Sequence, residues 1–503
     1  MTHTSARQRV VMLVHNGVHG DSRVQKQARS AAEAGWDVLL LGRAPGKEEV
    51  SWRLGGAEAR LLPFKHVSTR AHEVRSPRLF APLAYRFPAM GKQRLQLART
   101  WRAQIGEIMA RQAAEGSDGA LQKAALLPRR VAVKVAGKWI GLRANSTRKV
   151  AGRRAQMTSP LDRFTTAFWL KTMGDRAWRR LDPSLWDIEI AFRAAIDEFE
   201  PDLIHANDFQ MLGVGARAKL RARVKGREVK LVWDAHEFLP GIRPWNPHPR
   251  WHPAQLAHES EYGPYADAVV TVSETLADLL RERHGLTETP QVVMNTPEVD
   301  EVHDGAAPPS LREQCGIGAD TPLMVYSGAA APQRGLADMV RALPLLDGVH
   351  CAFVVGKPQS AFMSELRALA AELGVAGRVH VLPYVEYWQV VPYLAQADVG
   401  LIPIHHFPNH ELALITKFFE YAHARLPIVV SDVETMSAVV RRTGQGEVCR
   451  AEDPRDLARA VAAVLADPKA YRKAYEDGEL LDQWTWASQA ENLHAVYRGL
   501  LAR

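Results

Sequence analysis

The feature that most constrains this chain is an alternation: short runs of β-branched and other apolar residues are followed repeatedly by longer stretches with helical spacing. Val10 to His15 reads as a buried strand, Asn16 to Gly20 as a Gly-containing loop, and Ser22 to Ala34 as a helix. Ser22 and Gln25 have capping-box spacing, and Gly35 marks the stop. Trp36 to Leu41 is the next strand, and Leu203 to His205, Val229 to Asp234 and Ala268 to Val272 follow. The pattern restarts at Leu323 to Ser327 and continues through Cys351 to Val355, Val379 to Leu382, Val399 to Ile404 and Ile428 to Ser431. Strands without polar alternation, each followed by a helix, imply parallel sheets covered on both faces. The spacing therefore predicts two doubly wound domains, residues 1–297 and 321–481. A linker rich in Pro, Gly and acids spans 298–320, and the terminal segment 482–503 contains an amphipathic helix from Trp484 to Leu501. Open sheets of this kind bind ligands at the carboxyl ends of their strands, so two of them frame a cleft.

Residues 66–200 break the alternation and read as an inserted group of helices in the first domain. Charge concentrates there. Residues 66–182 hold 24 Lys and Arg against seven Asp and Glu, a net +17 that leaves the rest of the chain at −9 within a total of +8. One basic segment on a mildly acidic protein differs from a uniformly basic nucleic-acid binder, and no recognised nucleic-acid module accompanies it. Solvated helix faces are the plain account of such a charge run. Against that, Trp101, Trp139, Phe164, Phe168, Trp169 and Trp178 interleave with the cations, a composition suited to an anionic bilayer surface. The polar start, Met1 to Gln8, and the short apolar run Val10 to Val14 predict neither a signal peptide nor a membrane span. Cys315, Cys351 and Cys449 are odd in number and far apart, which points to a reducing, cytoplasmic setting.

Four segments together carry a resemblance. They are Asp21-Ser-Arg-Val24 with Ala34-Gly-Trp-Asp-Val38, then Pro201-Asp-Leu-Ile-His-Ala-Asn-Asp208 with Asp234-Ala-His-Glu237, then Tyr326-Ser-Gly-Ala-Ala-Ala-Pro-Gln-Arg-Gly335, and lastly Lys417-Phe-Phe-Glu-Tyr421 before Leu426-Pro-Ile-Val-Val-Ser-Asp432. In order and spacing the chain resembles a retaining glycosyltransferase of family 4 with the GT-B fold, two Rossmann-like domains facing a central cleft. The resemblance implies transfer of a sugar from a nucleotide diphosphate sugar to an acceptor hydroxyl, in polysaccharide or glycolipid assembly. It implies no cofactor and no metal, a carbohydrate or lipid-linked acceptor, and no nucleic-acid partner. With the basic segment, it implies a peripheral place on the inner face of the cell membrane. Two rivals share the architecture: a sugar-nucleotide epimerase, and a non-catalytic scaffold that keeps a sugar-nucleotide site.

Individual residues follow from chemistry and from the resemblance together. Glu420 lies among Phe418, Phe419, Tyr421 and Ala422, where a lone carboxylate is costly and needs a partner. The resemblance assigns it the donor ribose, and a salt bridge to Lys417 is the alternative. The sugar-facing glutamate expected eight positions earlier is Leu412 here, with Glu411 one residue away. Gly328 ends a predicted strand, and Arg334-Gly335 opens a helix, an arrangement suited to an anion. The resemblance assigns Arg334 the nucleotide diphosphate. The arginine expected after Gly328 is Ala329, and Lys357 and Lys417 are the candidate substitutes. Leu382 and Pro383 begin the loop expected to meet the base. On the acceptor side stand Gly17, His19, Asp21, His205, Asn207, Asp208 and Glu237, with His236 as catalytic residue alongside Arg334 and Glu420. Glu298-Val299-Asp300 falls in the linker and reads as solvated, not as a metal pair. No zinc spacing, dinucleotide fingerprint, phosphate loop or nucleophile elbow follows a strand, so those chemistries are not expected.

Overall fold

A computed structural model describes residues 7–64, 82–85, 88–117, 119–156, 160–242, 249–299, 307–476 and 478–502. Residues 66–81, 86–87, 118 and 157–159 of the basic segment, and 300–306 of the linker with Asp300, lie outside the described residues. The chain divides into two compact units. One comprises Met1–Pro63, Arg193–Ile242 and Tyr262–Arg503, the other Phe64–Phe192 and Arg243–Glu261.

The larger unit contains two sheets. In the first, β1 (Arg9–Leu13), β2 (Asp37–Arg43), β3 (Val50–Leu54), β4 (Ala57–Leu62), β5 (Leu203–Asn207), β6 (Lys230–Ala235), β7 (Ala268–Thr271) and β8 (Gln291–Val292) stand in the order β3-β4-β2-β1-β5-β6-β7-β8. All pairings are parallel except β3 with β4. In the second, β9 (Leu323–Ser327), β10 (His350–Val354), β11 (Val379–Leu382), β12 (Val399–Ile402), β13 (Ile428–Ser431) and β14 (Gly446–Cys449) stand in the order β11-β10-β9-β12-β13-β14 and are wholly parallel. This doubly wound order reverses direction at β9, where a crevice opens at the strand ends.

Packing explains the uninterrupted apolar runs. On β9, Leu323 and Val325 face a core with Phe418, Phe419 and Tyr421, whereas Met324 and Tyr326 face one with Leu336, Met339 and Val461. A strand buried on both faces has no solvent side to mark with polar residues. The strands unanticipated from sequence are the hairpin β3–β4, the short β8 and the edge strand β14; β3, β8 and β14 keep partly exposed positions, as does the anticipated edge strand β11. The helix Ser22–Glu33 begins as expected but is capped by Asp21, whose side chain accepts from Val24 N–H; Gln25 instead donates to Val18 O.

The final helix, Trp486–Leu501, packs on the first sheet. Its Trp486, Ala490, Leu493, Tyr497 and Leu500 join the core that holds Val10, Met12, Leu40 and Val232.

The smaller unit is helical, with Pro88–Ala114 and Ala120–Gln156 as its longest members. Trp178, grouped by sequence with bilayer-facing aromatics, is instead fully buried. Its Nε1–H donates to Glu261 at 2.6 Å, and Arg179 pairs with the same carboxylate. Trp139, Phe164 and Phe168 of that group are exposed. Among the described residues no helix is long and apolar enough to cross a membrane.

Leu493, at 0% exposure, fixes the terminal helix to the first sheet. Leu493→Ala should cost about 2–5 kcal/mol, read as a lower denaturant midpoint. An unchanged midpoint would show that the helix contributes nothing to that core.

Candidate functional site

In the first half of the larger unit, the strand ends converge on one buried carboxylate. Asp234, at the end of β6, is fully buried. Arg23 grips both of its oxygens, Nη2 to Oδ1 at 2.8 Å and Nε to Oδ2 at 3.0 Å, and Gln27 Nε2 adds a bond at 2.6 Å. His205 Nε2 and His236 Nε2 approach Oδ2 at 3.3 and 3.0 Å. Burial alone would raise this carboxyl, but the charges of Arg23 and His236 win and hold it well below the ordinary range.

The two histidines have different work. His205 lies at 0% exposure with Nδ1 2.7 Å from the Tyr497 hydroxyl. A tautomer protonated at Nε2 satisfies both neighbours, so His205 links the terminal helix to Asp234. His236 sits between two carboxylates, Asp234 at Nε2 and Asp208 at Nδ1, 3.2 Å away. Burial opposes its charge, yet those carboxylates raise it to about 10. It is an imidazolium with both N–H groups committed, and the 3.1 Å separation from Arg23 Nε reflects two donors converging on one oxygen.

The remaining first-half candidates fall around this cluster. Asp208 takes a left-handed φ of 61° at the start of its helix, which turns its carboxylate toward His236. Asn207 is fully buried and donates to Leu13 O, tying β5 to β1. Glu237 stays open to solvent; its packed surroundings and Asp208 raise its carboxyl, against His236 and Arg334. In the loop after β1, Asn16 bonds both Val18 N–H and Asp21, holding Val18 at a strained φ of 65°. His19 stacks on Trp52 at 4.8 Å, and a Cβ on Gly20 would meet nothing within 4 Å.

In the second half, Gly328 and Gly335 permit two close approaches. A Cβ on Gly328 would lie 1.7 Å from Lys417 Cε, and one on Gly335, at φ 72°, would lie 1.7 Å from Pro403 O. The first lets the Lys417 amine cross the end of β9, and the second fixes the turn that carries Arg334. Burial lowers Lys417, with Glu420 opposing it; burial raises Glu420, against Lys417 and Lys26. Among the described residues no side chain hydrogen-bonds Glu420, and no carboxylate pairs with Arg334, although both are partly buried. Arg334 is felt electrostatically by Tyr326, Tyr384, His410, Lys417 and Glu237.

Other sequence candidates are placed differently. Lys357 stands exposed beyond β10 and is absent from the charges that Glu420 and Lys417 feel. Glu411 binds His406 Nδ1 at 2.7 Å and accepts Glu434 N–H at 2.8 Å, so its carboxylate is occupied within its own half. Leu382 is buried and its carbonyl accepts Val355 N–H, while Pro383 is exposed. Sequence reasoning missed Tyr384, whose half-exposed ring lies over Gly356, a glycine that a Cβ would push to 2.9 Å from the ring. It also missed Lys26, which bonds Asn295 and Thr296 O beside the Trp486 ring; burial brings its amine down to about 7 despite Glu298.

Residues 309–480 match the family described as Glycosyl transferases group 1, and residues 168–297 match Glycosyltransferase Family 4. The D-inositol 3-phosphate glycosyltransferase of Xylanimonas cellulosilytica is 31% identical over 166 residues, 33% of this chain and 39% of that protein. The chain thus matches well under two thirds of that relative's length. Sucrose-phosphate synthase from Thermosynechococcus elongatus superposes with a TM-score of 0.63 at 16% identity, over 99% of this chain and 100% of that one. HepE from Anabaena in complex with UDP-glucose gives 0.56 at 13% identity, over 98% and 100%. The fold is therefore GT-B, two Rossmann-like domains about a cleft, as the sequence led us to expect.

The imidazolium at His236 makes a prediction with a definite sign. Its pKa rises from 6.5 to about 10 on folding. Its stabilising contribution is complete below pH 6.5 and is lost as pH rises through about 10. His236→Gln should therefore cost stability at pH 6 and progressively less by pH 10, in denaturant titrations beside the parent. A deficit independent of pH would contradict the ion-pair assignment.

Proposed function

We propose that this chain, which belongs to the family 4 glycosyltransferases of the GT-B fold, moves a sugar from a nucleotide diphosphate sugar to an acceptor hydroxyl with retention at the anomeric carbon. The observation that carries this reading is Arg334: a partly buried guanidinium without a carboxylate partner among the described residues, close enough to Lys417 for its charge to register there. Two cations held close together away from water are costly; Glu420 offsets Lys417 only in part, and a diphosphate would supply the remaining negative charge. Glu420, whose side chain has no hydrogen-bond partner among the described residues, then suits the two vicinal hydroxyls of a donor ribose. Tyr384 presents a ring where a base could stack.

In this mechanism the bond between the anomeric carbon and the β-phosphate oxygen breaks as the acceptor oxygen bonds from the same face. The acceptor proton passes to the departing phosphate. His236 is charged and cannot serve as a base; its positive charge and its Asp208 contact position the acceptor side. Catalysis is then positioning and electrostatic stabilisation. The positive charge comes from side chains, so activity should survive a chelator. The acceptor is a carbohydrate or lipid-linked hydroxyl in polysaccharide or glycolipid assembly, met at the inner face of the cell membrane.

Two measurements test the donor site. A thermal-shift screen over nucleoside diphosphates and their sugars should find one that stabilises, by about 2.7 kcal/mol at 100 times its dissociation constant. Arg334→Ala should lower turnover by about 10²–10³. Unchanged kinetics in that variant would remove the diphosphate from this position.

A further inference from the structure

The helix Ala120–Gln156 carries ten Lys and Arg and no Asp or Glu. One side, with Ile140, Ala144 and Thr147, is buried against its neighbours in the helical unit. On the other side Leu127, Val131, Val135, Trp139 and Leu142 recur every three or four residues, each 50–61% exposed. Arg130, Lys134 and Lys138, four residues apart, line one edge of that stripe. There Arg102 of the helix Pro88–Ala114 joins them around an open cavity of about 400 Å³, with Ile105 and Val133 completing its lining. No acidic side chain lines this cavity. The helix Pro160–Met173 shows a second apolar row, Leu161, Phe164 and Phe168, at 46–67% exposure.

Each simple occupant accounts for only part of this surface. Water explains the cations but leaves a row of valine, leucine and tryptophan uncovered. A second copy would cover the row but set one all-basic helix against another. A nucleic acid would neutralise the cations and leave the apolar stripe unburied. We propose that this face docks on an anionic phospholipid bilayer, with the Leu127–Leu142 stripe lying in the acyl boundary and Arg102, Arg130, Lys134 and Lys138 holding lipid phosphates. The helix lies in the plane of the interface and does not enter it end-on. The proposal rests on the reading of this enzyme as one that works at a membrane face, and it names the surface that makes the contact.

The test is co-sedimentation of the full chain with vesicles of phosphatidylcholine alone or with phosphatidylglycerol. Three proteins are compared: the parent, a Val131→Asp/Val135→Asp variant and an Arg130→Gln/Lys134→Gln variant. All substituted positions but the basic pair belong to the exposed stripe, and far-UV circular dichroism verifies that each variant folds. The parent should bind phosphatidylglycerol vesicles, release them in high salt and ignore phosphatidylcholine. The aspartate pair should abolish binding, and the glutamine pair should weaken it about 30-fold. Stabilisation by the nucleotide found in the thermal screen should persist in both variants, so failure of the donor site and failure of this surface are separately visible. Undiminished vesicle binding by the aspartate variant would overturn the proposal. So would duplex DNA binding unaffected by the aspartates in a chain that ignores vesicles, or a vesicle-free dimer that the aspartates dissolve.

Discussion

A carboxylate moved from water into a protein interior loses several kcal/mol of solvation, and partial compensation leaves most of that penalty standing. Asp234 meets this constraint with Arg23 and Gln27 from one helix, His205 from the middle of β5, His236 just after β6, and, through His205, Tyr497 from the terminal helix. Bonded partners among these groups lie as much as 292 residues apart in sequence. Removing any one leaves a buried charge less well paired. The first-half wall of the cleft is therefore defined by electrostatic necessity as much as by apolar packing.

The same helix extends this order toward the donor side. Ser22–Glu33 buries Arg23, Lys26 and Gln27, the polar stripe that a surface helix would show to water. Lys26 bonds Asn295 and Thr296 O in the segment that follows β8, and Asn295 in turn donates to Thr416 at the start of the helix that carries Lys417 and Glu420. Trp486 N–H bonds Pro297 O in the same segment. A chain of polar contacts thus runs from Asp234 to the neighbourhood of Glu420. It gives any hinge between the halves a defined set of bonds to keep or break.

Much of the fold was legible because parallel strands buried on both faces must be continuously apolar. Leu323 to Ser327 and Ile428 to Ser431, both wholly buried, coincide with observed strands. Edge strands such as Val50–Leu54 and Gly446–Cys449 escaped because Ser51, Arg53 and Glu447 interrupt any apolar run. Arg334 and Glu420 stood out because each sits in a local pattern that makes an unpaired charge conspicuous. Arg23, Lys26 and Gln27 did not, since a charged helix face reads as solvated until its distant partners are known. Trp178 misled for the same reason: its buried indole N–H is satisfied by Glu261, 83 residues away.

The central claim is that the second half holds a nucleoside diphosphate, with Glu420 on the ribose hydroxyls. Calorimetry of the bound diphosphate and its 2′,3′-dideoxy analogue, each against the parent and Glu420→Gln, isolates that contact in a double cycle. The account predicts that Glu420→Gln costs the parent ligand about 1.5–3 kcal/mol and the dideoxy ligand almost nothing. An equal loss for both ligands would contradict it.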